Sequence, residues 1–330
     1  MGRPQLGWRQ GAIALGAVLL SLSDVSPISA QPRAQAPASR WGADYFPNVA
    51  LQDQNGRIVH FYDDVIRGKV VGINFVYTEC TDICPLDIAS MRRVQAILGN
   101  RVGRDVFLYS ISINPERDTP AALRRVMRTY DVRPGWTFLT GARADIALLQ
   151  RHFGMTVVGA ENLRAHDTDI VLGNETTGEW LRRSSFESPQ NIADILGSTL
   201  HNYAVVVPGS GPRQSYAAAG EIRETRGAYL YRTRCQACHT MGMGDRLGPD
   251  LRGVASARDP AWLARWIREP NRMIAERDPI AMALLPRFNN LPMPNLGLGE
   301  VEVTAIVDYM RTEDRTARPR QAAARPQQRH

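Results

Sequence analysis

Cys235-Gln236-Ala237-Cys238-His239 places two thiols three positions apart with an imidazole directly after the second. This is the spacing of covalent haem c attachment. Two thiols add across the two vinyl groups of one porphyrin, and the residue that follows then lies under the iron. The competing readings are a disulfide and half of a zinc site. With no second cysteine pair nearby to complete a zinc site, the motif reads as one covalent haem c. Cys235 and Cys238 carry the thioether links, and His239 is an axial ligand of the iron.

The chain has 330 residues, room for about two domains at ~150 residues each. Its first 30 residues read as an export signal: Arg3 and Arg9, an apolar run from Gly11 to Leu22, and Ile28-Ser29-Ala30 as a cleavage site. Twelve residues are short for a bilayer span, so an uncleaved anchor is the lesser alternative. The expected location is the periplasm, an oxidising compartment in which each of the four cysteines needs its own explanation. The formal charge of +7 is concentrated at the C-terminus, where residues 315–330 hold five Arg and no acid. The body between the termini is near neutral, which argues against a nucleic-acid binder. Residues 313–330, rich in Arg, Ala, Pro and Gln, are expected to be a disordered basic tail.

From about residue 40 to 206 strand and helix patterns alternate. Val49-Ala50-Leu51 and Ile58-Val59-His60-Phe61 flank Asn55-Gly56, a hairpin signal. Val70 to Tyr77 is nearly all apolar, as in a strand covered on both faces. Pro85 to Leu98 repeats apolar residues at helical spacing and stops at Gly99. Val106 to Ile113 is a second buried strand, Thr119-Pro120 a helix start, Thr137-Phe138-Leu139 a short strand and Ala144 to Phe153 a helix. Asp169–Leu172 and Glu179–Arg182 form a late hairpin, and Pro189 to His201 a last helix capped by Ser188. This is an α/β domain. Residues 207–220, with Pro208, Gly209, Gly211 and Pro212, read as a linker, and 221–312 as a mostly helical second domain.

That second domain resembles a small class I cytochrome c. Gly227, Leu230 and Tyr231 precede the attachment motif, Leu247-Gly248-Pro249-Asp250-Leu251 follows it, and Pro292-Met293-Pro294 precedes a last helix. The resemblance implies that the Pro249 carbonyl orients the His239 ring and that Met293 is the second axial ligand. Met241 and Met243 lie too near His239 to reach the opposite face; Met273 and Met282 are the alternatives. His–Met ligation raises the haem potential and closes the iron to substrates.

Cys80 and Cys84 follow the first buried strand, and Cys84 precedes Pro85 and a helix. A helix start favours thiolate, which serves as a nucleophile or as a soft ligand for Cu(I). A structural disulfide is the plainer alternative. Here Tyr77-Thr78-Glu79-Cys80-Thr81-Asp82-Ile83-Cys84-Pro85, Asn114-Pro115-Glu116-Arg117-Asp118-Thr119-Pro120 and Trp136-Thr137-Phe138-Leu139-Thr140-Gly141 resemble the SCO/SenC family of thioredoxin-like copper proteins. The resemblance implies a thioredoxin-like fold, a central mixed sheet flanked by helices, beside the all-α cytochrome c domain. It also implies one copper ion held by Cys80, Cys84 and a distant histidine, for which His166, before Ile170-Val171-Leu172, stands in the matching position. His60, His152 and His201 have no such match. Thr81, Asn114 and Ala165 depart from the family's usual Pro, Asp and Asp without removing a ligand.

Two functions follow. The first is a periplasmic copper metallochaperone that matures the dinuclear copper centre of a respiratory oxidase or similar cuproenzyme, with the haem passing electrons to copper or thiols. Its partners are a copper-containing oxidase subunit and, upstream, other copper chaperones or electron donors. The second is a thiol–disulfide oxidoreductase in which Cys80 or Cys84 attacks a partner disulfide and the haem relays electrons. A haem transfers one electron and a disulfide needs two, whereas the Cu(II)/Cu(I) couple matches the haem directly.

Overall fold

The computed structural model describes residues 41–80, 84–209 and 224–323. The export signal, Thr81 and most of the expected linker lie outside them.

The α/β domain is built on seven strands: β1 (Ala50–Asp53), β2 (Ile58–His60), β3 (Val70–Val76), β4 (Val106–Ser112), β5 (Trp136–Gly141), β6 (Asp169–Asn174) and β7 (Glu179–Ser184). Their order across the sheet is β2-β1-β5-β4-β3-β6-β7. β3, β4 and β5 run parallel to their neighbours in that trio, while β1, β2, β6 and β7 add antiparallel edges. Four helices accompany it: α1 (Cys84–Leu98), α2 (Pro120–Thr129), α3 (Arg143–His152) and α4 (Pro189–Gly197). This is the mixed sheet flanked by helices that the SCO/SenC resemblance implies.

Every residue of β3 is buried, because helices cover both faces of the sheet. Val71, Ile73 and Phe75 point into one apolar layer, and Val70 and Val76 into the other, with Leu86, Met91, Leu196 and Trp136. Fully burying a side chain of this size stabilises the fold by about 1.5–3 kcal/mol. α2 starts as expected, with the Thr119 hydroxyl accepting from the Ala122 N–H at 3.3 Å. Ser188 caps α4 with its carbonyl and not its side chain.

The helical domain comprises α5 (Arg226–Leu230), α6 (Val254–Ala257), α7 (Pro260–Arg268), α8 (Pro270–Ala275), α9 (Pro279–Arg287) and α10 (Glu300–Ala323). α5 crosses α10 at Gly227, where a Cβ would stand 2.1 Å from the Ala305 carbonyl oxygen; only glycine permits this approach. Among the described residues no helix is long and apolar enough to cross a membrane.

Two boundaries differ from the sequence reading. Val207, expected to open the linker, is fully buried in the α/β core against α4, so the first domain reaches this residue. The last helix was expected to give way to a disordered tail at 313, but α10 continues to Ala323. Its fourth turn is tied to the domain by the Asp314 carboxylate, which accepts the Gly253 N–H at 2.8 Å. Composition registers the charge of this segment and misses that tie.

Asp118, fully buried, joins β4 to the segment leading out of β3. It accepts from the Ser112 hydroxyl at 2.6 Å, and from the Thr78 hydroxyl and N–H at 2.5 and 3.1 Å. Asp118→Ala orphans these donors and should cost about 3 kcal/mol, measured by urea unfolding. A loss below about 1 kcal/mol would show that the site loop does not hang on this carboxylate.

Candidate metal and haem sites

β3 delivers the chain to Cys80, and α1 begins at Cys84. Neither cysteine is joined in a disulfide. The half-exposed Cys80 sulfur accepts the Cys84 backbone N–H at 3.3 Å, a contact made by the opening turn of α1. Cys84 is completely buried, and its Sγ lies 3.5 Å from Nε2 of His166. His166 sits at the end of the turn Ala160–Ala165, just before β6. Its Nδ1–H donates to the Leu163 carbonyl at 2.8 Å, which leaves the Nε2 lone pair facing the sulfur. The ring meets Tyr77 edge-on, with centroids 5.7 Å apart.

The electrostatics differ from the helix-start argument. Burial, then hydrogen bonding and charge from Cys80, push the Cys84 thiol well above its ordinary value. The partial charge of one helix terminus does not offset desolvation at a fully buried sulfur. Burial also lowers His166, so the imidazole is neutral and available as a ligand.

A residue the sequence reading passed over completes the cluster. Asp87, on the first turn of α1, puts a carboxyl oxygen within 4.8 Å of the Cys84 sulfur and a His166 nitrogen. It is 2% exposed, and its Oδ1 has no hydrogen-bond partner. Burial raises it from an ordinary 3.8 to about 8, although Ser185 opposes the shift. Its position three residues after Cys84 on a helix was the available signal. Cys80 lies outside this tight trio, at its half-exposed edge. Two sulfurs and a neutral imidazole fit a soft metal ion such as Cu(I), and Asp87 places a buried carboxyl beside them.

In the helical domain the turn widens over Tyr231–Cys235, with the Gln236 N–H bonded to the Tyr231 carbonyl at 2.9 Å. Cys235, Cys238 and His239 then face a cavity of about 320 Å³ that is also lined by Trp262, Leu285 and Met293. The His239 Nδ1–H donates to the Pro249 carbonyl at 2.8 Å. A Cβ on Gly248 would stand 2.5 Å from the His239 ring, so the backbone itself forms the back of the ring's slot. Burial lowers His239 and pushes both cysteine thiols up to about 12. The Asp250 carboxylate closes the loop behind, accepting backbone N–H groups of Gly242, Gly244 and Arg252 at 2.7–2.9 Å. Of the methionines weighed from sequence, Met293 lines the cavity. Met273 is packed in the core, Met243 is exposed, and Met310 of α10 is a further lining residue. An apolar cavity with two thiols on one wall and an oriented imidazole fits a covalently held haem.

Residues 38–200 match the SCO1/SenC family model, and residues 224–314 match the Cytochrome c family model. The chain joins an SCO1/SenC domain to a cytochrome c domain. Similar proteins include a SCO2-like protein of Rickettsia conorii, 34% identical over 137 residues, which are 41% of this chain and 62% of the relative. A putative copper-binding protein of Stutzerimonas stutzeri is 32% identical over 114 residues, 34% of this chain and 54% of the relative. The chain therefore spans less than two thirds of these curated relatives. Among solved structures, Bradyrhizobium japonicum ScoI with copper bound is 28% identical, with a TM-score of 0.38, covering 47% of this chain and 96% of that one.

The Asp87 carboxyl of the SCO1/SenC domain sets a pH dependence. Protonated in the metal-free fold up to about 8 and ionised in the unfolded chain above 3.8, it lowers stability as pH rises between those values. The slope approaches about 1.4 kcal/mol per pH unit. Chemical denaturation of the metal-free protein across that range should show this decline, and Asp87→Asn should flatten it. Parallel curves for the two proteins would contradict the assignment.

Proposed function

We propose that this protein is an exported copper metallochaperone for the dinuclear copper centre of a respiratory oxidase or similar cuproenzyme, with an attached haem c that exchanges electrons with its copper or thiols. The observation that carries this reading is the oriented His166 imidazole, with its free Nε2 aimed at the Cys84 sulfur and Cys80 at the accessible edge. Such a site binds Cu(I) through soft donors and leaves one side open for transfer. Copper would be held by Cys80, Cys84 and His166, with one ion per chain. Bound haem would supply one-electron chemistry. Cys235 and Cys238 would anchor it, and His239 and Met293 would fill its axial positions. The basic, then apolar, N-terminal sequence supports export to the periplasm.

A second reading, thiol–disulfide exchange, is favoured by the state of Cys80. It is half-exposed, and its sulfur accepts an N–H, which stabilises thiolate. In that reaction Cys80 attacks a partner disulfide, and Cys84 releases the partner by closing the Cys80–Cys84 bond.

Metal analysis of the full chain should find about one copper and one haem, with copper lost in His166→Ala and haem retained. Copper retained at full stoichiometry in the variant would sink the copper assignment. Full dithiol reductase activity without copper binding in either protein would favour the exchange reading. On the haem side, Met293→Ala should abolish the six-coordinate low-spin spectrum and lower the midpoint potential. An unchanged spectrum would move the axial role to another residue, with Met310 next in line.

A further inference from the structure

The two domains share one apolar seam. Ala237 and Cys238 of the haem motif, with Leu247, Leu291 and Leu296, pack into the same cluster as Leu86, Met91 and Tyr130 of the SCO1/SenC domain. Leu86, two residues past Cys84, is itself a wall of the haem cavity, beside Cys238 and His239. At the edge of the seam the Arg234 guanidinium lies 3.7 Å from the centroid of the Phe186 ring, a cation–π contact. Along the rim a crevice runs between Arg92, Arg93 and Ala96 of α1 and Ala237, Arg246 and Leu247 of the cytochrome c domain.

We infer that the cytochrome c domain is docked with its haem-attachment face on the first turns of α1, making the haem pocket and the Cys80–Cys84–His166 site one intramolecular redox unit. This rests on the copper and haem reading above. The covalent route between the sites is short on the thiol side: Cys84, Pro85, and then Leu86, which already lines the haem cavity. Tyr130 is a second link. Burial raises its phenol, and Cys238 of one site and Cys84, Cys80 and Asp87 of the other each add to the shift, so it lies within electrostatic reach of both. The exchange is of one electron: ferrous iron loses it and cupric copper gains it, with no bond made and no proton moved.

The seam is held by apolar packing against an opposing charge. Burial lowers the Arg93 guanidinium, and Arg246 across the rim lowers it further, so two cations face one another there. Two substitutions away from every proposed ligand should therefore move the docking in opposite directions. Phe186→Ala removes the Arg234 stack and loosens it. Arg93→Glu turns the like-charged rim into an opposite pair and tightens it.

The test uses the full, haem-loaded, copper-free chain labelled for NMR. Paramagnetic ferric haem should broaden or shift the amide signals of residues 86–96 relative to the diamagnetic ferrous state. The effect should weaken several-fold in Phe186→Ala and persist or grow in Arg93→Glu. Amide signals of α1 that are alike in the two haem states of the native chain would overturn the docking, as would effects that ignore both substitutions. Neither result depends on copper, so a failure of copper binding and a failure of docking are told apart. With copper loaded, electron exchange should be first order and independent of protein concentration in the native chain, and several-fold slower in Phe186→Ala. A concentration-dependent native rate would overturn the direct contact between the sites.

Discussion

The central strand β3 is covered on both faces, and that constraint positions everything at the thiol site. A strand with all seven residues buried cannot slide by one position without moving each side chain into the wrong layer. Its exit point is therefore fixed, and so are Cys80 beyond it and α1, which packs its Leu86, Met91 and Val94 against the sheet. Asp118 adds a polar tie between the strand exit and β4 through Thr78 and Ser112. His166 reaches the same place from the other direction, because β6 pairs antiparallel with β3 and brings its preceding turn to the end where Cys80 and Cys84 lie.

Burial then decides the chemistry of the groups so assembled. The Cys84 thiol is driven up, the His166 imidazole is driven down, and the Asp87 carboxyl is held protonated to about 8. The metal-free site is thus close to neutral. A soft cation compensates that desolvation directly, since coordination removes thiol protons outright. The same logic runs through the haem cavity, where apolar walls keep both thiols protonated and His239 unprotonated. The His239 ring is oriented by a backbone carbonyl, that of Pro249, and the loop behind it is closed by the Asp250 carboxylate.

The arrangement of two domains puts α1 to two uses. Its first turn brings Cys84 and Asp87 into the cluster with His166, and Leu86 between them faces the other way, into the cavity beside Cys238 and His239. Helical spacing makes this possible: positions three apart share a face, and the residue between them does not. One short helix turn therefore serves both sites without a residue common to both.

Much of this was legible in the sequence because it is carried by local spacing. The haem motif, the two cysteines before Pro85, the alternation of buried strands and amphipathic helices, and the capping Thr119 each depend on neighbours within a few residues. The matched motifs extended this to His166 and Met293. What only the tertiary structure decided are the contacts between distant segments: Asp87 turned toward Cys84 and His166, Val207 inside the core, Asp314 holding α10 to Gly253, and Leu86 walling the haem cavity. The thiol's protonation was decided there as well. The sequence marks a helix start, which favours thiolate, but the balance at Cys84 is set by desolvation, and desolvation depends on how many distant chain segments cover the sulfur.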